Sequence, residues 1–523
     1  MSDDRFDRAR LDELAHHAEL REYEFASAAP GVGGFVARFR AAWNSVATKW
    51  QVRPLIEQQS AFNAALVEWL ARRQMGKGAA GERDLVAERI AHDRGVTALN
   101  RDVAAVGARA ARTLSLTLSQ GEREPEALSQ RARGQRAARR LRLAYFSPLP
   151  PARSGIADYS AELLPALAER ADVTLFSDET AAPGGLPRRP LDAFPAERWA
   201  FDLPLYQMGN SAHHSDIYRL LLRFPGVTVL HDYILHHLLA HLTLGAGRFA
   251  AYAREMGYAL GDEAAPLLRD IRSGRAANPL YDVALNERLL DSSLGLIVHS
   301  RTVAGWIHTA RPAARVAVIP LVVTPRPGRS RRAELGLPPE ALLLASVGQV
   351  TAAKQLPLAL RAFRRLLAFV PQATFLIVGE VLPEVDLAGT LAELGLGERV
   401  IRLDYVESLD AFVDWAATAD IVLNLRYPTL GETSSAALRV MAAGRPLVVF
   451  DHGWYGELPD DAAVKVPPLD EEALLAALLE LARDPARRAA LGAAAAGYVA
   501  AQCAPAAVAD AYVAFLTAVE PAA

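Results

Sequence analysis

The chain has 523 residues, a formal net charge of −3 and 51% apolar residues. That length predicts roughly two or three domains, with enough apolar content for their cores. The near-neutral charge excludes the global field that draws nucleic acid, and the single cysteine, Cys503, excludes an internal disulfide framework.

Residues 1–140 read as an all-helical region without strand-like alternation. Phe35, Phe39, Trp43, Val46 and Trp50 recur at helical spacing, as do Phe62, Leu66 and Trp69. These stripes are expected to be core or helix–helix contacts, and they leave homo-oligomerisation through this region open. The region ends in a basic stretch from Arg131 to Arg140, expected to be a solvated linker. The polar start Met1-Ser2-Asp3-Asp4-Arg5 has no signal-peptide core, and no apolar run reaches the roughly 18–20 residues of a membrane span. The expected compartment is the cytoplasm, with peripheral contact at the inner face of a membrane left open.

The second region, 141–323, carries predicted strands at Leu141–Phe146, Val173–Phe176, Leu203–Gln207, Val227–Leu230, Leu294–Val298 and Val316–Ile319. A Pro-, Gly- and Arg-rich joint runs from Pro320 to Arg332. The third region, 324–523, repeats the style with strands at Leu342–Val347, Thr374–Val378, Val400–Arg402, Ile421–Leu425 and Leu447–Val449. Strands alternating with helical patterns predict parallel sheets. The fold class is therefore α/β: two facing doubly wound, Rossmann-like domains preceded by helices. Ligands of such sheets bind beyond the carboxyl ends of the strands.

The polar motifs all follow predicted strands. After the first comes a proline-rich loop, Ser147 to Ser154, then Gly155, where backbone can approach a ligand closely at a helix start. Asn210 follows the third strand. His231 and Asp232 follow the fourth and are candidates for bonding a sugar or assisting proton movement. In the second sheet, Gly348 and Gln349 lead to Lys354, a point charge for a diphosphate. The backbone around Val406 is a candidate nucleobase contact. The turn Arg426-Tyr427-Pro428-Thr429-Leu430-Gly431-Glu432 opens a helix that runs to Gly444. Free N–H groups at that helix start, near Thr433, Ser434 and Ser435, suit a diphosphate. Glu432 suits hydroxyls. An anion cradle beside a hydroxyl acceptor fits a sugar nucleotide. No histidine cluster carries a persuasive metal-ligand pattern, and no cofactor is expected.

From Leu141 to the C-terminus the chain resembles the retaining glycosyltransferases of family 4, which have the GT-B fold. The resemblance rests on Ser154–Ser160, Leu230-His231-Asp232, the Gly348-to-Lys354 spacing and Gly431–Pro446. It implies a nucleotide-sugar donor in the interdomain cleft, with transfer to a glycan, lipid-linked or protein acceptor. By the same analogy Gly155 lies near the donor phosphates, His231 near the sugar and Lys354 at the diphosphate. Glu432 faces sugar hydroxyls, and Thr433, Ser434 and Ser435 meet phosphate. Two positions depart from the family pattern. Gln349 stands where arginine is common, and Arg439 stands near the family's second glutamate. The stretch Pro505 to Val519 resembles the family's last helix, which returns to the first domain. A sugar-nucleotide epimerase and a non-catalytic sugar-nucleotide scaffold share these features and are the alternative readings.

Overall fold

The structure, a computed structural model, describes residues 93–98, 100–101, 140–179, 182–338, 340–406 and 408–519. The aromatic stripes at Phe35–Trp50 and Phe62–Trp69, and the basic stretch up to Arg139, lie outside the described residues.

Among the described residues thirteen strands build two sheets. The first contains β1 (Arg142–Phe146), β2 (Asp172–Phe176), β3 (Arg188–Arg189), β4 (Leu203–Met208), β5 (Val227–Leu230), β6 (Gly295–Val298) and β7 (Val316–Val318). Its spatial order is β3-β2-β1-β4-β5-β6-β7, and every pairing is parallel. The second contains β8 (Leu343–Val347), β9 (Thr374–Val378), β10 (Val400–Leu403), β11 (Ile421–Leu423), β12 (Leu447–Phe450) and β13 (Val464–Val466), in the order β10-β9-β8-β11-β12-β13, also wholly parallel. The central strands are buried along their length (Leu343–Val347 and Thr374–Val378 show no exposed residue), as expected where helices cover both faces. Two strands escaped the sequence reading. β3 and β13 are edge strands of two and three residues carrying Arg188, Arg189 and Lys465, so no apolar run marks them.

In each sheet the order reverses at one point, between β1 and β4 and between β8 and β11. Such reversals open the crevice where ligands bind. α1 (Gly155–Ala168) follows β1, capped by the Ser154 hydroxyl, which accepts from Ile156 N at 3.2 Å. α2 (Arg301–Ala310) follows β6, and α3 (Ser435–Ala442) follows β11.

The chain crosses between the domains twice. The first crossing follows β7. The second joins α4 (Pro485–Gln502), on the second sheet, to α5 (Pro505–Val519), on the first. Val323 N donates to Cys503 O at 3.1 Å, tying the crossings together. α5 packs on α1: the Tyr159 and Tyr512 hydroxyls bond, and Arg170 pairs with Asp510. Val519 and Phe515 cover Gly295, where any side chain would collide with them. Tyr512, Leu516 and Val519 are buried, each contributing about 1.5–3 kcal/mol by loss of apolar contact with water. Taken as one stretch, Pro485–Val519 is long and apolar enough to cross a membrane. Here it is divided at the second crossing, and Leu491, Ala495, Val499, Tyr512 and Leu516 are buried against the two domains.

Candidate active site

The carboxyl ends of the two sheets face each other and touch. Leu430 O, from the turn after β11, accepts from Tyr233 N at 2.8 Å and Ile234 N at 2.9 Å, both just beyond β5. Gly431 makes this contact possible. Its φ is +83°, and a Cβ there would lie 2.5 Å from the Tyr233 Cβ. Glu457, beyond β12, caps α2 across the gap, accepting from Arg301 N (2.9 Å), Thr302 N (2.6 Å) and the Thr302 hydroxyl (2.7 Å). The Arg153 guanidinium stacks on Tyr405 at 4.6 Å, joining the loop after β1 to the loop after β10.

Between these contacts lie the residues that the sequence offers as an anion cradle. Gly155, at the start of α1, faces the start of α3: a Cβ on Gly155 would sit 3.7 Å from Ser435 Oγ. Ser434 caps α3, accepting from Ala437 N at 3.2 Å. Gly348 has φ +90°, and a Cβ there would stand 3.1 Å from Lys354 Nζ and 3.5 Å from the Ala436 Cβ. Gly155, Gly348, Lys354, Ser434 and Ser435 thus converge from both domains.

Lys354 is 5% exposed, and its ammonium donates to Val347 O at 2.5 Å. Burial, and then the neighbouring charge of Arg426, lower its pKa to about 7. Arg426 is the site residue that the sequence reading left without a role. It follows β11, and its Nη1 lies 2.6 Å from Glu432 Oε1. Burial, the largest single influence, lowers its pKa, but Glu432, Tyr455 and Asp232 together outweigh it and raise it. Gln349, where a second cation was missing, instead donates to Glu380 at 3.3 Å on the surface. Arg426 therefore supplies a second positive charge beside Lys354. Its spacing from Glu432 implies no contact on a helix or strand, so only the folded turn reveals the pair.

Glu432 braces its own turn. Oε2 accepts from Thr429 Oγ1 at 2.9 Å and Leu430 N at 2.6 Å. Oε1 makes no hydrogen bond beyond its contact with Arg426, and Thr433 Oγ1 is buried with none. Asp232 comes from the opposite domain. Burial, and then the Glu432 charge, raise its pKa to about 6, against the Asn210 N–H, which donates to Asp232 Oδ2 at 2.8 Å, and against Arg426. Asn210 is itself held: its side-chain oxygen accepts from Leu238 N at 3.0 Å and its amide nitrogen meets His237 Nδ1 at 2.9 Å.

His231 has both ring nitrogens engaged. Burial first, and then His299 and His214, push its pKa well below the usual value, and burial takes His299 to about 4, so both rings are neutral. His299 Nδ1 donates to Ile319 O at 2.8 Å, which leaves its Nε2 to accept from His231 Nδ1 at 3.2 Å. His231 Nε2, which lies 2.8 Å from Gln207 Oε1, is thereby left as an acceptor. Turning the Gln207 amide nitrogen toward His231 satisfies both groups, since that nitrogen otherwise has no partner. Val406 packs its side chain against the main core beside the Arg153–Tyr405 contact. Among the described residues no group of three or more His, Cys, Asp or Glu side chains could hold a metal ion.

The Asp232 carboxyl carries a pH prediction. Its folded pKa of about 6 lies above the reference value of 3.8. The folded state therefore holds this proton more tightly, and stability falls as pH rises from about 4 to 6. Asp232→Asn should raise the unfolding free energy at pH 8 by about 1–2 kcal/mol, with the gain fading toward pH 4. Denaturant unfolding at both pH values checks this; an equal effect at each would defeat it.

Two facing parallel-sheet domains, closed over a cleft at their strand ends, define the GT-B fold. Residues 341–484, within the second domain, match the family model described as "Glycosyl transferases group 1". The structure is similar to that of HepE from Anabaena, with a TM-score of 0.51 and 15% identity over 72% of this chain and 98% of that one. It also matches the sucrose-phosphate synthase of Thermosynechococcus elongatus (TM-score 0.49, 19% identity, 71% of this chain and 96% of that one). A third match is WaaG, a glycosyltransferase involved in lipopolysaccharide biosynthesis (0.48, 16%, 70% and 98%). No curated protein matches the chain.

Proposed function

We propose that this protein is a metal-independent, retaining glycosyltransferase that moves a sugar from a nucleoside-diphosphate sugar to a hydroxyl of a glycan, lipid-linked or protein acceptor. The observation that carries this reading is the pairing of Lys354 and Arg426 in a cleft where Gly155 faces the start of α3. Two buried cations and the N–H groups of a helix start stabilise a leaving diphosphate. Asp232 and Glu432, on opposite sides of the gap, accept hydrogen bonds from hydroxyls of the sugar. His231 positions the Asp232 loop rather than moving a proton, because neither ring nitrogen is free.

The reaction breaks the bond from the anomeric carbon to the diphosphate oxygen and forms one to the acceptor oxygen on the same face. The acceptor proton passes to the departing diphosphate. The Anabaena HepE structure was solved with UDP-glucose, so UDP-glucose is the first donor to test. A matched donor should raise the melting temperature through linkage. With an acceptor present it should release nucleoside diphosphate, and NMR of the product should show the donor's anomeric configuration. A protein that no nucleotide sugar stabilises, or an inverted product, would overturn this reading.

A further inference from the structure

We propose that a second interdomain cavity, beside the hinge, binds a neutral carbohydrate unit of the acceptor; this rests on the transfer reaction proposed above. The cavity has a volume of about 530 Å³, within the roughly 300–1,000 Å³ of small-molecule sites. Both crossing segments line it, through Leu321 on one and Cys503 on the other, and both domains supply its walls. It is therefore complete only when the cleft is closed.

Two features select the occupant. The first is charge. The charged residues of the wall are Arg301 and Glu457, 3.6 Å apart as an ion pair, and Glu457 is further committed to capping α2. The wall thus carries no net charge to attract a phosphate or a carboxylate. The second is its mixed surface. Trp454 and Tyr498 stand with Val318 and Leu438, next to the polar groups of Thr433 and Gln502. A pyranose has the matching character, with C–H faces that pack on aromatic and aliphatic walls and a hydroxyl rim that needs partners.

Position links the cavity to transfer. Thr433 lies in the chain between Glu432 and Ser434, the residues of the donor turn. His299, another wall residue, bonds His231 at 3.2 Å. An occupant held by both domains favours the closed cleft, and by reciprocity it tightens nucleotide binding.

The test uses the full chain and the neutral methyl α- and β-glycosides of glucose, galactose and mannose, with glucose 6-phosphate as a charged control. Saturation-transfer NMR reads glycoside binding, and calorimetry with UDP, GDP and ADP reads nucleotide binding. At least one neutral glycoside should bind, and better than glucose 6-phosphate. Val318→Trp should block the cavity from its mouth, since Val318 is 44% exposed and its replacement disturbs no packed core. That variant should weaken the glycoside by more than about tenfold and leave nucleotide affinity within about twofold. Wild-type protein that binds nucleotide but no glycoside would overturn the assignment, as would glycoside binding unchanged by Val318→Trp. Failure of every nucleotide to bind sinks the transfer reading instead, so the two failures are separable.

Discussion

Replacing Lys354 with alanine is expected to cut turnover by about 10²–10³-fold, the effect of removing one preorganised donor from developing negative charge. The ammonium is buried, fixed on Val347 O and placed under Gly348, so no mobile surface lysine can take its position. Its pKa of about 7 adds a signature. The folded value lies below the reference 10.5, so the unfolded chain binds more protons between those limits. This group's contribution to stability therefore rises with pH from about 7 to 10.5. Alanine abolishes that slope. In the wild type the cation is present below pH 7, so nucleotide binding should be tighter at pH 6 than at pH 9, with the dependence lost in the variant. Calorimetry at the two pH values and initial rates at pH 7 check both points. Near-normal turnover in the alanine variant would remove Lys354 from the mechanism.

Arg426→Met should damage both stability and activity, for separable reasons. Glu432 would keep a largely buried carboxylate 2.6 Å from where its counter-charge had been. Breaking such a pair costs about 3 kcal/mol when one partner is left charged, the lower end of the range because both side chains retain some water contact. Asp232 would also lose a cation that holds its pKa down, so its carboxyl should titrate higher still. Adding Glu432→Gln removes the stranded charge. The double variant should recover most of the lost stability and none of the lost turnover. Unfolding free energies and rates on the single and double variants decide this. Recovery of activity together with stability would make Arg426 a brace for the turn and nothing more.

The strands of the fold were readable because burial on both faces writes parallel strands as continuous apolar runs. Val227–Leu230 and Thr374–Val378 coincide with their predicted limits, and β1, β4, β8 and β12 shift by one residue. The residues that converge at Gly348 and Lys354 could be singled out because glycine, a short hydroxyl run and a lone lysine stood directly after those strands. What could not be read were partnerships across the cleft. Gly155 against Ser435, Asp232 beside Glu432, and Glu457 on the α2 start each join residues from different domains. The departure at Arg439 is also settled only in three dimensions: Arg439 Nη2 meets Glu162 of α1 at 3.0 Å, and both side chains are buried. The positive charge on α3 is thereby matched from the facing helix. Likewise nothing in the spacing of Gln207, His231 and His299 says that they would neutralise one another's chemistry.

The return of α5 to the first sheet has a consequence for how the molecule is made. Tyr512 follows its partner Tyr159 by 353 residues. During synthesis the first half must leave the ribosome with Gly295 and one flank of α1 bare, and wait through the whole second half for its cover. A polypeptide halted anywhere before residue 505 would carry that sticky flank permanently. Chaperone demand should therefore peak late in translation, and severing the tail should harm the half of the protein encoded first.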